Sequence, residues 1–243
     1  MSGIRYSFER YEKKYLLTPG AADELQKAMR ERLRPDEYGR YSLCNIYYDT
    51  DDWRLVRASI ERPVYKEKLR VRSYGVPTSE SKVFAEIKKK YKGVVYKRRI
   101  TIGVNDAAPF LSLSEKRDYG QIGREIEYFQ NLYHSVPKVF IGYDRTACAG
   151  KEDSELRITF DTNIRFRTDA LDLMAGDYGT PLEIPGGVLM EIKVPGVYPL
   201  WLTRLLSERK IFPVSFSKYG YCYTSHLIEG KEAKGGALLC LNQ

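Results

Sequence analysis

Two neighbouring stretches, Tyr65 to Tyr74 (YKEKLRVRSY) and Lys82 to Ile100 (KVFAEIKKKYKGVVYKRRI), constrain the fold of this chain more than any other feature. Side chains along a strand point alternately to its two faces. In the first stretch Leu69, Val71 and Ser73 fall on one face; Lys68, Arg70, Arg72 and Tyr74 fall on the other. In the second, Val83, Ala85 and Ile87 oppose Phe84, Glu86, Lys88 and Lys90. This period of two specifies strands with one apolar face and one mostly cationic face. A sheet built from them presents a surface for polyphosphate or another polyanion.

The rest of the chain adds to that face. Arg5 to Leu17 reads as a strand on which Arg10, Glu12 and Lys14 share a side. Pro19 opens a helix expected to run through Arg34, with Leu25, Met29 and Leu33 at helical spacing. Tyr41 to Tyr48 is a strand ended by Asp49-Thr50-Asp51-Asp52, and Trp53 to Ile60 a short helix. A hairpin turn near Lys92-Gly93 leads into an arm carrying Val95, Lys97 and Arg99 on one face. Gln121 to His134 and Leu200 to Arg209 are amphipathic helices. Further strands place Tyr143 with Arg145, Arg157 with Asp161, and Glu191 with Lys193. Eight or nine strands with short connections and no internal repeat specify an α+β chain on a mostly antiparallel sheet. The expected organisation is one domain over residues 1–227 and a C-terminal tail over 228–243.

Like charges packed side by side on adjacent strands repel unless something neutralises them. The chain carries 40 Lys and Arg against 32 Asp and Glu, a net charge of +8, which favours an anionic partner. Closing the sheet into a barrel with the charged face inward resolves the conflict. The cations then line a cavity, and the apolar face packs against helices. Glu12, Glu86, Asp161 and Glu191 supply acidic partners inside it. A few carboxylates among many cations also suits a divalent metal riding on a phosphate chain.

Other chemistries find little support. There is no Walker loop, no GxGxxG after a strand, no nucleophile elbow and no HExxH. Four scattered cysteines and two histidines do not make a zinc site. The recurring glutamates on the cationic faces would repel a nucleic-acid backbone, so no nucleic-acid partner is expected. With no membrane-spanning run and no apolar signal core, a cytoplasmic location is expected.

From about Tyr6 to about Tyr223 the sequence resembles the catalytic domain of the vacuolar transporter chaperone polyphosphate polymerases, in the triphosphate tunnel metalloenzyme superfamily. The superfamily's first strand is ExExK; here Arg10-Tyr11-Glu12-Lys13-Lys14 keeps Glu12 and Lys14 but has Arg10 in place of the first Glu. That departure argues against a triphosphate hydrolase or class IV adenylate cyclase and fits the polymerase branch. Arg70 and Arg72 in LRVRSYG resemble the RxR strand, Lys88 in AEIKKK the ExK strand, and Lys97 in VVYKRR the next one. Tyr143 and Arg145 in GYDRTA are similar to YxR, and Arg157 in LRITFDT to the following arginine. Glu191 in LMEIKV is similar to the metal-binding Glu, and Ser217 and Lys218 in FSKYG to the closing SK pair.

The resemblance implies a closed tunnel barrel that binds ATP and transfers its γ-phosphoryl group to a growing inorganic polyphosphate chain. Arg70, Arg72, Lys88, Arg145, Arg157 and Lys218 would be catalytic, and Lys14, Lys97, Tyr143 and Ser217 would join them in binding phosphate. Mn²⁺ or Mg²⁺ would sit on Glu191. The chain lacks the phosphate-sensing and membrane segments of the eukaryotic subunits, so it either works alone in the cytosol or docks to a separate membrane partner. A tripolyphosphatase or nucleoside triphosphatase on the same barrel, and a non-catalytic polyphosphate-binding module, are the alternatives. Oligomeric state, chain length and base preference have no signal in the sequence.

Overall fold

The structure, a computed structural model, describes residues 11–61, 63–92 and 94–228. The expected strand start at Arg5, Arg10 itself, Gly93 of the hairpin turn and residues 229–243 of the expected tail lie outside the described residues.

The chain runs through β1 (Tyr11–Leu17), α1 (Pro19–Met29), β2 (Leu33–Asp49), α2 (Arg54–Ile60), β3 (Tyr65–Tyr74), β4 (Lys82–Tyr91) and β5 (Val94–Gly103). It continues with α3 (Val104–Leu111), α4 (Gly120–Tyr133), β6 (Val136–Gly150), β7 (Arg157–Arg167), β8 (Thr180–Pro181), β9 (Val188–Val194), α5 (Leu200–Glu208) and α6 (Lys218–Cys222). Among the described residues the strands form one antiparallel sheet in the order β1-β9-β7-β6-β2-β3-β4-β5, with β8 paired to β7.

Register carries the alternation from strand to strand, because residues directly opposite share a face. Arg70 lies opposite both Glu86 and Tyr47, and Arg72 opposite Asn45. Lys88 faces Lys97, Tyr41 faces Arg145, and Arg145 faces Asp161. Thr159 pairs with Glu191, and Glu191 with Lys14. One continuous inner face therefore collects polar residues from all eight strands along this path.

The outer face is apolar and covered by helices. Leu69, Val71, Val83, Ala85 and Ile87 bury against Phe110 of α3 and Ile126 and Phe129 of α4. Ile158, Phe160, Met190 and Ile192 bury against Leu25 and Met29 of α1 and Leu202 and Leu206 of α5. Each Val, Leu, Ile, Phe or Met among them contributes about 1.5–3 kcal/mol on full burial. Thr18 caps α1 by accepting the Ala21 amide at 3.2 Å, with Pro19 in the first turn. The helix ends at Met29 rather than near Arg34. Leu33 keeps its place in the same core as the first residue of β2, opposite Gly150.

A third cluster lies on the inner face. Val139, Ile141, Tyr143 and Leu189 pack with Val56 of α2 and Tyr219 and Cys222 of α6. Those two helices cover one part of the inner surface and leave the charged part as a trough.

The sheet does not close, contrary to the barrel expected from the sequence. β1 and β5 are its two ends, and no ladder joins them among the described residues. The sheet nevertheless curls far enough for Lys88 Nζ on β4 to come within 4.0 Å of Glu12 on β1. Two features oppose closure. The Lys14 carbonyl on the free edge of β1 accepts the Val214 amide at 2.7 Å, so the segment before α6 occupies that edge. Residues 94–99 of β5 are exposed and include Lys97, Arg98 and Arg99, charges that discourage edge pairing. The result is an open, curled half-barrel. Among the described residues no helix is long and apolar enough to cross a membrane.

Candidate functional site

The β3–β4–β5 wall is organised by one buried carboxylate. Glu86 on β4 receives Arg70 Nε at 2.8 Å and Lys97 Nζ at 2.7 Å, with Arg72 at 3.8 Å. Burial alone would raise its pKa, but Arg70, Arg72 and Lys97 together hold it well below the usual carboxylate range. Neutral groups steer the arginines further. Arg70 donates to Tyr47 Oη at 3.1 Å, and Arg72 to Asn45 Oδ1 at 2.8 Å and Tyr143 Oη at 3.2 Å. Their planar forks are thus fixed before any ligand arrives.

The opposite wall has two carboxylates. Arg145 on β6 binds Asp161 on β7 in a two-point contact, at 2.6 and 2.7 Å, and Lys218 Nζ binds the same carboxylate. Glu191 on β9 is buried with four cations around it: Lys14 at 3.7 Å, and Arg145, Lys193 and Lys218 each at 3.6 Å. Burial would raise its pKa, yet Lys218, Lys14, Lys193 and Arg145 hold it well below the usual range, so it stays ionised. Tyr143 lies between the walls under Lys218, whose Nζ is 4.2 Å from the ring centre. Burial pushes its phenol up, but Arg72, Arg145 and Lys218 prevail and bring it down to about 8.

The segment before α6 enters the trough from the β1 edge. Lys14 Nζ donates to the Phe216 carbonyl at 2.9 Å. Ser217 caps α6, its Oγ accepting the Gly220 amide at 3.2 Å. Lys218, the first residue of α6, is buried.

The structure thus brings Lys14, Arg70, Arg72, Lys88, Lys97, Tyr143, Arg145, Glu191, Ser217 and Lys218 to one surface. Arg157 shares it at the start of β7, opposite Lys193, but is exposed at the rim away from the Asp161 cluster. Four contributors were absent from the expected set. Lys68 and Lys193 were readable, since each stands two residues from a chosen one on the same face. Asn45 and Tyr47 were hidden in YSLCNIYYD, which reads as a mostly apolar strand.

Chemically, the trough is a field of fixed guanidinium and ammonium donors on both walls, with carboxylates too few to satisfy them all. It suits an extended anion with oxygens on several sides. The VTC domain model matches residues 9–227. The chain belongs to the VTC domain family. Its half-barrel is also similar in fold to solved structures. One is a candidate adenylate cyclase from Bacillus halodurans, with 14% identity over 85% of this chain and 92% of that one, at a TM-score of 0.54. Another is a candidate adenylyl cyclase from Hippeastrum described as having a dominant triphosphatase activity, with 18% identity over 90% of this chain and 97% of that one, at a TM-score of 0.52. At these identities the likeness establishes the shared fold. Comparison with curated proteins gave no match. The VTC domain of this chain therefore carries its charged inner face on an open, curled half-barrel.

Proposed function

We propose that this VTC domain is a polyphosphate polymerase, moving the γ-phosphoryl group of ATP onto the end of an inorganic polyphosphate chain held in the trough. The observation that carries the reading is the continuous inner face, with Arg70, Arg72, Lys88 and Lys97 on one wall and Lys14, Arg145, Lys193 and Lys218 on the other. Phosphoryl transfer needs positioning and charge neutralisation more than a protein nucleophile. The bond from the γ-phosphorus to the β–γ bridging oxygen breaks, and its electron pair leaves with ADP. A terminal oxygen of the polyphosphate chain forms the new bond. That oxygen is already anionic, so no general base is required.

The residues fit a divalent metal of the Mn²⁺ or Mg²⁺ kind in one manner only. Among the described residues no three His, Cys, Asp or Glu side chains converge. Glu191, ionised on the trough floor, would hold the ion together with phosphate oxygens of the substrate, as suits a cation that keeps few protein ligands. Bound there, the metal would neutralise charge on those oxygens. The arginines grip and orient the phosphates, while Lys14, Lys88 and Lys97 supply point charges along the chain. Arg157, at the rim, meets the chain where it leaves the trough.

Purified protein with ATP and Mn²⁺ tests the reading, with products resolved on a polyphosphate gel and orthophosphate assayed in parallel. A ladder with ADP supports it. Orthophosphate without a ladder selects hydrolysis on the same fold. Neither product, with tight polyphosphate binding, selects a binding module.

A further inference from the structure

Lys14, Lys88, Lys97, Lys193 and Lys218 each pair with a carboxylate on the inner face. Lys68, on the inner face of β3 beside Arg70, forms no ion pair among the described residues. Its Nζ donates to Ser217 Oγ at 3.0 Å and stands 5.8 Å from the centre of the Tyr219 ring. Lys68 lies directly opposite Lys88 on β4 and between Lys66 and Arg70 on the same face of β3, and these cations, with Lys14 on β1, repel it. The acids near this half-buried ammonium are already held by other cations, Glu12 by Lys14 and Lys88 at 3.6 and 4.0 Å and Glu86 by Arg70 at 2.7 Å, so an anion is the partner that Lys68 can take. Ser217 completes the site. Its Oγ already accepts from Lys68 and from the Gly220 amide, which leaves the hydroxyl proton to donate to an incoming oxygen.

We infer that Lys68 and Ser217 form an additional seat for one phosphoryl group of the bound chain, between the Lys14 and Lys88 walls, and that filling this seat is coupled to uptake of a proton by Lys68. This rests on the phosphate-binding reading of the trough. The coupling has a physical cause. Burial, followed by repulsion from Lys14, Lys66, Lys88 and Arg70, brings the Lys68 ammonium down to about 7. An anion set among these cations removes the repulsion and restores the charged form. Lys68 without an anion beside it is therefore expected to be partly neutral near pH 7, and charged with one bound.

The test is direct binding of inorganic tripolyphosphate, without metal, by calorimetry between about pH 6 and about pH 8, in buffers of different ionisation heat. Wild type, Lys68→Arg and Lys68→Met are compared; Tyr143 and the ligand titrate identically in all three. Wild-type affinity is expected to fall about tenfold more over that range than that of Lys68→Arg, whose guanidinium stays charged, and to show the larger proton uptake. Lys68→Arg retains affinity, and Lys68→Met binds more weakly at the acid end with a flattened profile. A merely structural role for Lys68 would not change proton uptake or be repaired by Arg. Wild-type affinity and pH profile in Lys68→Met, or the same profile in wild type and Lys68→Arg, overturns the inference while leaving the trough as an anion site. No tripolyphosphate binding by any of the three overturns the reading of the trough and this inference with it.

Discussion

Tyr219 donates its phenolic hydrogen bond to Asp49 at 2.7 Å, joining residues 170 positions apart. Asp49 is fully buried and also accepts the amides of Thr50 at 2.8 Å and of Leu55 and Val56 at 2.9 Å. One carboxylate thus holds the start of α2 and, through Tyr219, the helix that begins with Lys218. Tyr219→Phe removes one of these bonds and leaves Asp49 satisfied by the amides, so it is expected to cost about 1 kcal/mol. Asp49→Ala leaves several buried donors without an acceptor and is expected to cost on the order of 3 kcal/mol. Urea unfolding midpoints check the order; equal losses would mean that the amides find other partners.

Glu86 neutralises three cations of the trough. Its replacement by Gln leaves Arg70, Arg72 and Lys97 to repel one another, at an expected cost of about 3 kcal/mol in the ligand-free protein. Added tripolyphosphate supplies the missing negative charge, so the melting temperature of Glu86→Gln should rise more on adding it than that of wild type. The pH dependence has a definite sign. The folded-state pKa of Glu86 is depressed, so its stabilisation is present above the unfolded carboxylate value and is lost as pH falls through the folded one. Acid titration should therefore narrow the gap between wild type and Glu86→Gln. A constant gap down to acid unfolding would remove Glu86 as the source.

The walls of the site were legible in sequence because strand periodicity needs no tertiary knowledge. Arg70, Arg72, Glu86, Lys88 and Lys97 sit in three consecutive strands joined by short turns, and alternation alone put them on one face. What the sequence could not carry was which distant strands meet. β1 lies beside β9, so Lys14 and Glu191 become neighbours across most of the chain. Closure failed as an expectation for a similar reason. The bond from Val214 to Lys14 that occupies the β1 edge comes from an irregular segment with no periodicity to read. Lys68 was visible on its face, but its lack of a carboxylate depends on where every other acid lands.

Asp161 orients two cations of the proposed site at once, through its two-point bond with Arg145 and its contact with Lys218. Asp161→Asn keeps the shape but turns one acceptor oxygen into a donor and removes the charge. Arg145 and Lys218 then face each other with only Glu191 between them. Tripolyphosphate affinity and turnover are both expected to change, turnover by about 100-fold, since positions and not only charges are lost. Binding calorimetry beside the polyphosphate assay separates the two. A variant with unaltered turnover would show that neither cation needs Asp161 for its placement.

Glu191 allows binding and the proposed chemistry to be tested apart. It is a negative charge among the cations assigned to the proposed substrate, so in the absence of metal it is expected to repel a phosphate chain. Removing it in Glu191→Ala or Glu191→Gln should leave metal-free tripolyphosphate affinity equal or up to about tenfold tighter. If Glu191 holds the metal, the same substitutions remove the ion's protein anchor, and metal-dependent turnover should fall by about 100-fold or more. The two effects run in opposite directions, which a collapse of the fold could not produce. Binding without metal and a Mn²⁺ titration of activity measure them independently. Tight binding with wild-type turnover would take Glu191 out of the metal role, whereas loss of both would show that it places Lys14, Arg145, Lys193 and Lys218 rather than an ion.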